Sequence, residues 1–465
     1  MAVIKPFRGV RYNPARIPRL DDVLSQPYDR IGPDLAARYR QLSPYNITGI
    51  ILGHNEDTGL PGPCATNGNY RCARQRYENW LAEGILIRED RPALYVYEQT
   101  FPIAGRTHVR LGLIAALGLH EFEEGVILPH ERTHRGPRAD RLRLLHALQV
   151  QPEQIFVLYP DRENRVNTLL RAAIADRTPA IDATELFENQ VRQRVWVITD
   201  PEIIHAVGSI LAPLQGLIIA DGHHRYETAL AYRQEQQALP PDAAVNFISA
   251  TLVSMDDPGL IILPTHREIH DFGAVSPAEV LARAAAHFAI APAADLEAML
   301  AAVNAHPRGH AFGFYGGPEV GFYVLTLRDE AILDTLAPDR SQAWRSLAVT
   351  IAHRLLLEQA AGVPPAGIED KSLIRYHRDP QRPVDNINAG RGEFAIFLSP
   401  TTMAQIKAVA AHGEKMPQKS TDFYPKMISG LVMLPAGPEE RLPDPCPPGD
   451  DQAAITGSSH ATMAG

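Results

Sequence analysis

The sequence predicts an α+β fold of the mixed α/β kind, and three observations lead to this class. Short apolar runs typical of buried strands alternate along the chain with stretches of helical periodicity. The composition, with 45% hydrophobic and 21% charged residues, is ordinary for a globular protein. The length of 465 residues is enough for about two or three domains with their own cores.

In the first half, strands are predicted where apolar residues are continuous or alternate with polar ones. These runs are 47–52, 93–101, 109–117, 154–159, 195–198 and 217–220. Helices are predicted from their periodicity over 32–42, 73–83, 138–148, 201–211 and 226–236. The stretch 235–242 contains two consecutive prolines, which indicates a linker or the end of a helix.

The second half has its own predicted sheet and helices. Strands are predicted over 244–254, 259–263, 311–315, 321–327, 393–398 and 431–434, and helices over 277–305 and 341–361. From Pro435 onward the composition changes to Pro, Gly, Ser and Asp, which is typical of a disordered tail. We therefore expect an N-terminal α/β domain over 1–240, a C-terminal α/β domain over 241–435 and a disordered tail over 436–465.

The most informative segment is Asp221-Gly-His-His-Arg225, which follows the apolar strand 217–220 and leads directly into a helix. Gly222 permits a backbone conformation that a Cβ would resist, and the free N–H groups at a helix start favour an anion. Arg225 can grip a phosphate with two hydrogen bonds, while Asp221 can hold Mg²⁺ or accept a proton. The alternative is that Asp221 only caps the helix and that His223 and His224 lie on its solvated first turn.

Two further clusters lie upstream. Asp29 follows a proline-fixed turn, where it serves either a site or as a helix N-cap. The segment Pro129-His-Glu-Arg-Thr133, followed by Asp140 and Arg141, has no apolar periodicity and belongs either to a site or to a salt-bridge network. A zinc site at His130 and His134 is disfavoured, because the Gly-Pro pair directly after them stops any helix that could align them.

Two cationic segments occur in the second half. Pro264-Thr-His-Arg267 follows a predicted strand and is either part of a site or surface. The loop 413–426 is pinned by two prolines, and aromatic residues among its charges disfavour an ordinary exposed basic loop. It lacks the Walker A glycine pattern, yet its lysines can balance phosphate charge and its hydroxyls can donate to phosphate. The candidates in this loop are Lys415, Lys419, Ser420, Thr421 and Lys426.

Charge and hydropathy exclude several classes of function. The net charge of −9 argues against a general nucleic-acid-binding protein, and no apolar run is long enough to span a bilayer. The N-terminus lacks the apolar core of a signal peptide. We therefore expect a cytoplasmic protein whose partners are small molecules, with neither nucleic acid nor membrane among them. The three cysteines are too few for a disulfide framework and are expected to be incidental thiols.

Taken together, these segments resemble the bacterial and archaeal family called domain of unknown function 1015. The resemblance extends in order from about residue 4 to 435. Where the family usually has an apolar residue after Pro-Tyr-Asp, this chain has Arg30. The segments that carry the resemblance are Gln26-Pro-Tyr-Asp29, Pro129-His-Glu-Arg-Thr133 with Asp140-Arg141, Ala220-Asp-Gly-His-His-Arg-Tyr-Glu-Thr-Ala229, and Met416-Pro-Gln-Lys-Ser-Thr421 with Phe423-Tyr-Pro-Lys426. The family name implies no activity.

The Asp221–Arg225 segment with Ala229 is also similar to a more widespread box, Gly-x-His/Arg-Arg-x-x-Ala. ParB nucleotide-binding domains, sulfiredoxins and archaeal free serine kinases share this box, which binds nucleotide phosphates. The similarity implies a ParB/sulfiredoxin-like core in the N-terminal half. It also implies phosphoryl transfer between a nucleotide, ATP or ADP, and a small hydroxyl compound such as free serine.

On this basis a nucleotide and Mg²⁺ are expected over the turn 221–225. Arg225 would hold phosphate, Asp221 would be metal ligand or base, and Glu131 is the alternative base. His223 and His224, together with His130, would orient phosphate or stabilise developing charge. Lys415 and Lys419 would close over the site. The remaining predicted binding residues are Asp29, His130, Arg132, Thr133, Arg141, Ser420, Thr421 and Lys426. Two alternatives stay open: a metal-dependent phosphatase or other hydrolase, and a regulatory nucleotide-binding protein without turnover.

Overall fold

The computed structural model describes residues 1–52, 69–131, 136–188, 190–236, 239–369 and 372–444. The chain forms two compact units. Unit 1 consists of Met1–Ile127, His134–Leu260 and Pro425–Gly465, and unit 2 consists of Leu128–Thr133 and Ile261–Tyr424. Helices and strands occur in both units, which confirms the predicted mixed α/β class.

Unit 1 contains most of the strands predicted in the first half. Its strands are β1 (Ile4–Lys5), β2 (Val10–Tyr12), β3 (Leu86–Arg88), β4 (Leu94–Ile103), β5 (Arg106–Gly118), β7 (Val150–Gln151), β8 (Ile155–Tyr159), β9 (Ile181–Thr184), β10 (Arg192–Ile198), β11 (Leu217–Asp221), β12 (Phe247–Ser254) and β21 (Leu434–Pro435). The strand β6 (Ile127–Pro129) lies where the chain passes from unit 1 to unit 2. The helices are α1 (Pro33–Leu42), α2 (Thr48–Ile51), α3 (Asn69–Ala82), α4 (Gly136–Leu148), α5 (Arg165–Ile174), α6 (Pro201–Leu211) and α7 (His223–Glu235).

The central sheet of unit 1 places β11 next to β8. Successive neighbours are β11, β8, β12, β5, β4, β10 and β9, and β1 pairs with β5. β12 runs parallel to β8, whereas β11 and β8 are antiparallel. Strands buried on both faces are continuously apolar, and this pattern made β8 and β11 visible in the sequence. Fully buried core residues include Leu113, Ala115, Val157, Ile219 and Leu252.

Unit 2 forms a second sheet with its own helices. Its strands are β13 (Ile261–Leu263), β14 (His266–Ile269), β15 (Phe288–Ala293), β16 (Ala311–Tyr315), β17 (Phe322–Leu327), β18 (Ile374–His377), β19 (Phe394–Phe397) and β20 (Asp422–Tyr424). The helices are α8 (Pro277–Ala284), α9 (Leu296–Ala305), α10 (Leu333–Leu336), α11 (Gln342–Arg345), α12 (Ala348–Ile351), α13 (Pro365–Glu369), α14 (Gln381–Asn388) and α15 (Met403–Ala411).

The main sheet of unit 2 has the order β15-β17-β16-β19-β14-β18, and β13 pairs separately with β20. Its core includes Met299, Tyr315 and Phe397. All four residues of β14 are buried, although three of them are polar or charged. A strand of this composition does not have the apolar pattern of a buried strand, which is why the sequence did not predict it.

Four predicted elements differ from the structure. Of the predicted strand 431–434, only Leu434 belongs to a strand, β21. Residues 47–52 form the helix α2 rather than a strand, because the Asn46 side chain accepts hydrogen bonds from the N–H and hydroxyl of Thr48 and so starts a helical turn. The predicted helix 277–305 is two helices, α8 and α9, separated by β15. Pairing of β15 with β17 overrides the helix propensity of its alanines.

The predicted helix 341–361 is also divided. It consists of α11, α12 and a π-helix over Ala352–Ala361, which ends at Gly362 in the left-handed conformation, with φ +76°. π-helical turns are rare and occur often at functional sites.

The predicted disordered tail is wrong in its first part. Ala436 and Leu442 are buried, the Ala436 N–H donates to the carbonyl of Gln149, and Asp444 forms an ion pair of 2.7 Å with Lys5. A few buried apolar side chains and backbone bonds are enough to hold a polar segment, which composition alone does not reveal. Residues 445–465 lie outside the described residues.

Three other expectations compare with the structure as follows. The boundary between the units falls after Leu260, and Pro425 and later residues belong to unit 1, unlike the expected domain limits. Cys72 is disulfide-bonded, unlike the expected incidental thiols, and both other cysteines lie outside the described residues. Within the described ranges, no helix combines the length and hydropathy needed to cross a bilayer.

We predict that Leu442→Ala lowers the free energy of unfolding by about 2–4 kcal/mol, because this side chain is 3% exposed and its truncation leaves a cavity. Urea unfolding measures the loss. The control Glu439→Ala, three residues away and exposed, should change stability by less than about 0.5 kcal/mol. Equal, negligible effects of both substitutions would show that this segment does not pack.

Candidate functional site

The predicted strand–turn–helix of unit 1 is present. β11 ends at Asp221, Gly222 has φ +87°, and α7 begins at His223. A Cβ at position 222 would lie 2.8 Å from Cγ2 of Ile155, and most side chains avoid this left-handed conformation. Glycine is therefore required here both for its backbone angle and for the space it leaves.

Asp221 is held between two cations. Nζ of Lys426 donates to Oδ2 at 2.7 Å, and Nη2 of Arg225 lies 3.7 Å from Oδ1. Burial alone would raise the pKa of the Asp221 carboxyl, but the charges of Lys426 and Arg225 outweigh it and hold this pKa well below its usual range. Asp221 is therefore a carboxylate throughout the physiological range of pH.

Arg225 is anchored by the protein itself. Its Nη1 donates to the carbonyl of Gln154, and its side chain is 12% exposed. Burial tends to lower the pKa of the guanidinium, yet the nearby carboxylates of Glu153, Asp221 and Asp29 raise it overall. Its Nε is buried without a hydrogen-bond partner among the described residues. The Nε–H group of Arg225, the predicted phosphate-binding residue, thus donates no hydrogen bond within the described structure.

Glu153, which the sequence did not suggest, is a central residue of this cluster. It is 6% exposed, and its Oε1 accepts the backbone N–H of Tyr28 at 3.1 Å and the hydroxyl of Ser429 at 2.8 Å. No motif marks an isolated glutamate before a strand, so only its contacts reveal its role. Burial raises the pKa of the Tyr28 hydroxyl to about 12, so this group is neutral at pH 7.

Arg141 lies in the same unit. Its guanidinium is centred 4.3 Å from the Tyr28 ring centre, and its Nη1 donates to the carbonyl of Ile51 at 2.5 Å. Asp140 accepts hydrogen bonds from its Nε at 3.1 Å and its Nη2 at 2.5 Å. Both predicted alternatives for this segment, a site and a salt-bridge network, therefore fit Arg141.

Other predicted residues of unit 1 occupy the margins of this cluster. Asp29 is exposed in a 3₁₀ turn over Tyr28–Arg30, and the N-cap of α1 is Gly32, so Asp29 does not cap that helix. His223 and His224 lie on the first turn of α7 and are partly buried. The charge of His223 contributes to the lowered pKa of Asp221.

The residues around Asp221 do not fit a resident magnesium ion. Oδ2 of Asp221 already accepts a hydrogen bond from an ammonium group, and a second cation lies near Oδ1. An ion there would be repelled by both cations. In the part of the chain that the structure describes, no three His, Cys, Asp or Glu side chains are grouped to hold a metal.

In unit 2, Thr421 connects two predicted residues. Nε2 of His130 lies 2.7 Å from Oγ1 of Thr421, and Oε1 of Glu131 accepts both the N–H of Thr421 at 3.1 Å and its hydroxyl at 3.0 Å. The Met416 N–H donates to the carbonyl of His130 at 2.8 Å, which fixes the backbone of this cluster. The segment Pro-His-Glu therefore meets the Lys-Ser-Thr loop within unit 2.

The other residues of this loop have mainly structural contacts. The hydroxyl of Ser420 donates to the carbonyl of Pro417 at 2.5 Å, and the carbonyl of Lys415 accepts a bond from the Trp344 indole at 3.1 Å. Lys419 is exposed and has φ +56°. Arg267, predicted to be either site or surface, is 1% exposed within β14. Arg132, Thr133 and His134 lie outside the described residues.

The structure thus groups the predicted residues into two clusters. The unit 1 cluster contains Asp221, Arg225, Arg141 and Lys426, with Asp29 and the two histidines at its margin. The unit 2 cluster contains His130, Glu131, Thr421 and Ser420, with Lys415 and Lys419 in the same loop.

Comparison with protein families identifies this chain. A family model described as "Protein of unknown function (DUF1015)" matches residues 4–350. The chain belongs to this family. The family resemblance predicted from the motifs is therefore confirmed, whereas a comparison with curated proteins gives no match.

Several solved structures are similar to this DUF1015 protein. A conserved hypothetical protein from Pyrococcus furiosus matches with 11% identity and a TM-score of 0.32, covering 66% of this chain and 92% of its own. A free serine kinase in complex with AMP matches with 12% identity and a TM-score of 0.31, covering 66% of this chain and 88% of its own. SbnI with a C-terminal truncation, from Staphylococcus aureus, matches with 11% identity and a TM-score of 0.33, covering 70% and 89%. No conclusion about activity follows from a likeness at this level.

We predict that Asp221→Asn lowers the stability of this DUF1015 protein by about 3 kcal/mol at pH 7, because it leaves Lys426 and Arg225 without their carboxylate. The pKa of Asp221 is depressed in the folded state, so its contribution is complete above the unfolded value of about 4 and is lost as the pH falls from there towards the folded value. The stability difference between wild type and variant should therefore narrow below about pH 4.

Urea unfolding at pH 7 and at pH 3 measures this difference. The matched control is Asp176→Asn, an exposed position in unit 1, which should change stability by less than about 0.5 kcal/mol at both values. If wild type and Asp221→Asn differ in stability by the same amount at pH 7 and pH 3, the ion pairing of Asp221 with Lys426 and Arg225 does not explain the loss.

We also predict that Thr421→Val costs about 1–2 kcal/mol, because it removes the hydroxyl that bonds both Glu131 and His130 while keeping the shape of the side chain. Thr421→Ser keeps the hydroxyl and should be affected less. Thermal unfolding of both variants makes the comparison. If serine and valine are equally destabilising, the hydroxyl is not what holds this cluster together.

Proposed function

We propose that this DUF1015 protein is a small-molecule phosphotransferase that moves a phosphoryl group from ATP or ADP to a hydroxyl compound such as free serine. The observation that carries the proposal is the Asp221 carboxylate, held between Lys426 and Arg225 directly before the glycine turn that starts α7. The similarity of this turn to a box that binds nucleotide phosphates supports the same assignment.

The turn has the physical features of a phosphate site. The first N–H groups of the 13-residue helix α7 lack carbonyl partners within the helix, and the positive end of its dipole lies at the same place. Gly222 has no side chain, so a ligand can approach the backbone closely. Arg225 and Lys426 place two fixed cations beside these groups, and fixed charges stabilise a transferring phosphoryl group without reorganisation.

Asp221 acts in this proposal by positioning and not as the base. A carboxylate with a strongly lowered pKa is a weak proton acceptor, because catalytic bases work best when their pKa lies near the operating pH. Its hydrogen bond instead fixes the Lys426 ammonium, and its charge keeps Arg225 in place. Phosphoryl transfer depends mainly on positioning and charge neutralisation, so a positioning carboxylate is consistent with the reaction.

The transfer itself balances as follows. The hydroxyl oxygen of the acceptor forms a bond to the terminal phosphorus, the bridging P–O bond breaks, and its electron pair leaves with the nucleotide. The proton of the hydroxyl passes to water. Since the Asp221 cluster does not fit a resident metal, Mg²⁺ would enter as part of the magnesium–nucleotide substrate.

We predict that the purified protein, incubated with Mg²⁺, ATP or ADP and a panel of small hydroxyl compounds that includes serine, forms a phosphomonoester visible by phosphorus NMR. Lys426→Met should lower the rate by about 10²–10³-fold, because it removes a cation aimed at the developing charge. The matched control Lys407→Met, in α15 of unit 2, should leave the rate unchanged.

The same experiment separates the two alternatives. Release of phosphate from phosphomonoesters without nucleotide would indicate the phosphatase or hydrolase. Nucleotide binding without any product would indicate the regulatory protein. Either result would contradict the kinase.

A further inference from the structure

Arg267 is a buried cation without an ion-pair partner among the described residues. It lies in β14, is 1% exposed, and donates to the carbonyls of Thr265 and Lys419. No carboxylate of the described residues lies within ion-pair distance, and its Nε has no hydrogen-bond partner. Burial lowers the pKa of this guanidinium to about 10, while Tyr376 and Glu131 offset the effect only in part. Buried charges are normally paired, so this one indicates a missing anion.

Two neighbouring polar groups also lack hydrogen-bond partners in the part of the chain that the structure describes. One is Nε2 of His353, a residue that is 8% exposed. The Tyr376 hydroxyl is likewise buried and unbonded, and the centre of its ring lies 5.5 Å from the Arg267 guanidinium. Burial and the charge of Arg267 lower the pKa of His353, so the two side chains are close enough to interact electrostatically. Three unsatisfied polar groups in one region of a folded core require an explanation.

A cavity of about 200 Å³ opens beside His353. The side chains that matter for a ligand are His353, Arg354, Lys415 and Trp344, and Thr350 also lines the cavity. His353 and Arg354 belong to the π-helix Ala352–Ala361, a rare conformation that occurs often at functional sites. The cavity therefore combines cationic side chains and His353, whose Nε2 has no hydrogen-bond partner among the described residues, with the aromatic side chain of Trp344.

The acidic residues that line this cavity are either exposed or ion-paired. The Asp339 side chain is 75% exposed and pairs with Arg340 at 3.5 Å, and Glu369 is exposed. Glu358 is neutralised by Arg354 at 2.7 Å.

We propose that this cavity of unit 2 binds a small phosphate-bearing molecule, whose phosphoryl oxygens meet His353 and Lys415 near the buried charge of Arg267 and whose body contacts Trp344. The proposal does not depend on the function proposed for unit 1. Its ligand is either inorganic phosphate or an organic phosphomonoester, and the two share the same recognition chemistry.

Isothermal titration calorimetry of the full chain in 0.15 M NaCl tests it, with inorganic phosphate and phenyl phosphate as probes. We expect a dissociation constant below about 1 mM for at least one probe. His353→Gln and Lys415→Gln should each weaken binding at least fivefold. The matched control Lys407→Gln has the same charge change in the same unit outside the cavity and should have no effect.

The Lys426→Met background weakens phosphate binding at the unit 1 turn, and binding in this background that depends on His353 belongs to unit 2. Tighter binding of phenyl phosphate assigns an organic phosphomonoester, and equal binding assigns free phosphate. Circular dichroism checks that His353→Gln folds, and the partly exposed Lys415 gives a second variant if it does not. Absence of binding, or equal weakening by Lys407→Gln, overturns the proposal.

Discussion

The cost of burying charge determines the arrangement of side chains in this protein. Asp221 lies at the end of a buried strand, where an isolated carboxylate would be protonated. It stays ionised because Lys426, 205 residues later in the chain, donates to it directly. This bond fixes the C-terminal segment of unit 1 next to the turn that starts α7, and Arg225 is held on the other side by a backbone carbonyl and by Glu153. The proposed phosphate site is a consequence of this compensation.

The cost of burying charge has different results at Arg225 and Arg267. Arg225 is surrounded by carboxylates that raise its pKa, so it is balanced without a ligand. Arg267 donates to two backbone carbonyls and lies near the Tyr376 ring, and burial lowers its pKa although Tyr376 and Glu131 partly offset the effect. Charges that are paired within the protein stabilise a pre-organised site. A buried cation without an ion-pair partner favours the binding of an anion. The contrast separates a fixed framework in unit 1 from an inferred ligand site in unit 2.

Sequence patterns were most informative where one local rule applied. The apolar run 217–220 and Gly222 defined a strand, a turn and a helix start that the structure contains. Sequence patterns gave wrong predictions where contacts with residues far away in the chain determine the local structure. β15 is alanine-rich but pairs with β17, and Ala436 and Leu442 are buried in a segment whose composition indicates disorder. β14 is buried with polar and charged residues, a pattern that no periodicity rule predicts.

By itself, the sequence determined the family, the mixed α/β class and the residues of the Asp-Gly-His-His-Arg turn, because motifs and short-range periodicity are local properties of the chain. Only the tertiary structure decided that Asp221 is paired with Lys426, that Glu153 lies beside Arg225, and that Arg267 is buried without an ion-pair partner among the described residues. These contacts join residues far apart in the chain. Their energies depend on burial and distance, and neither quantity can be read from the order of the amino acids.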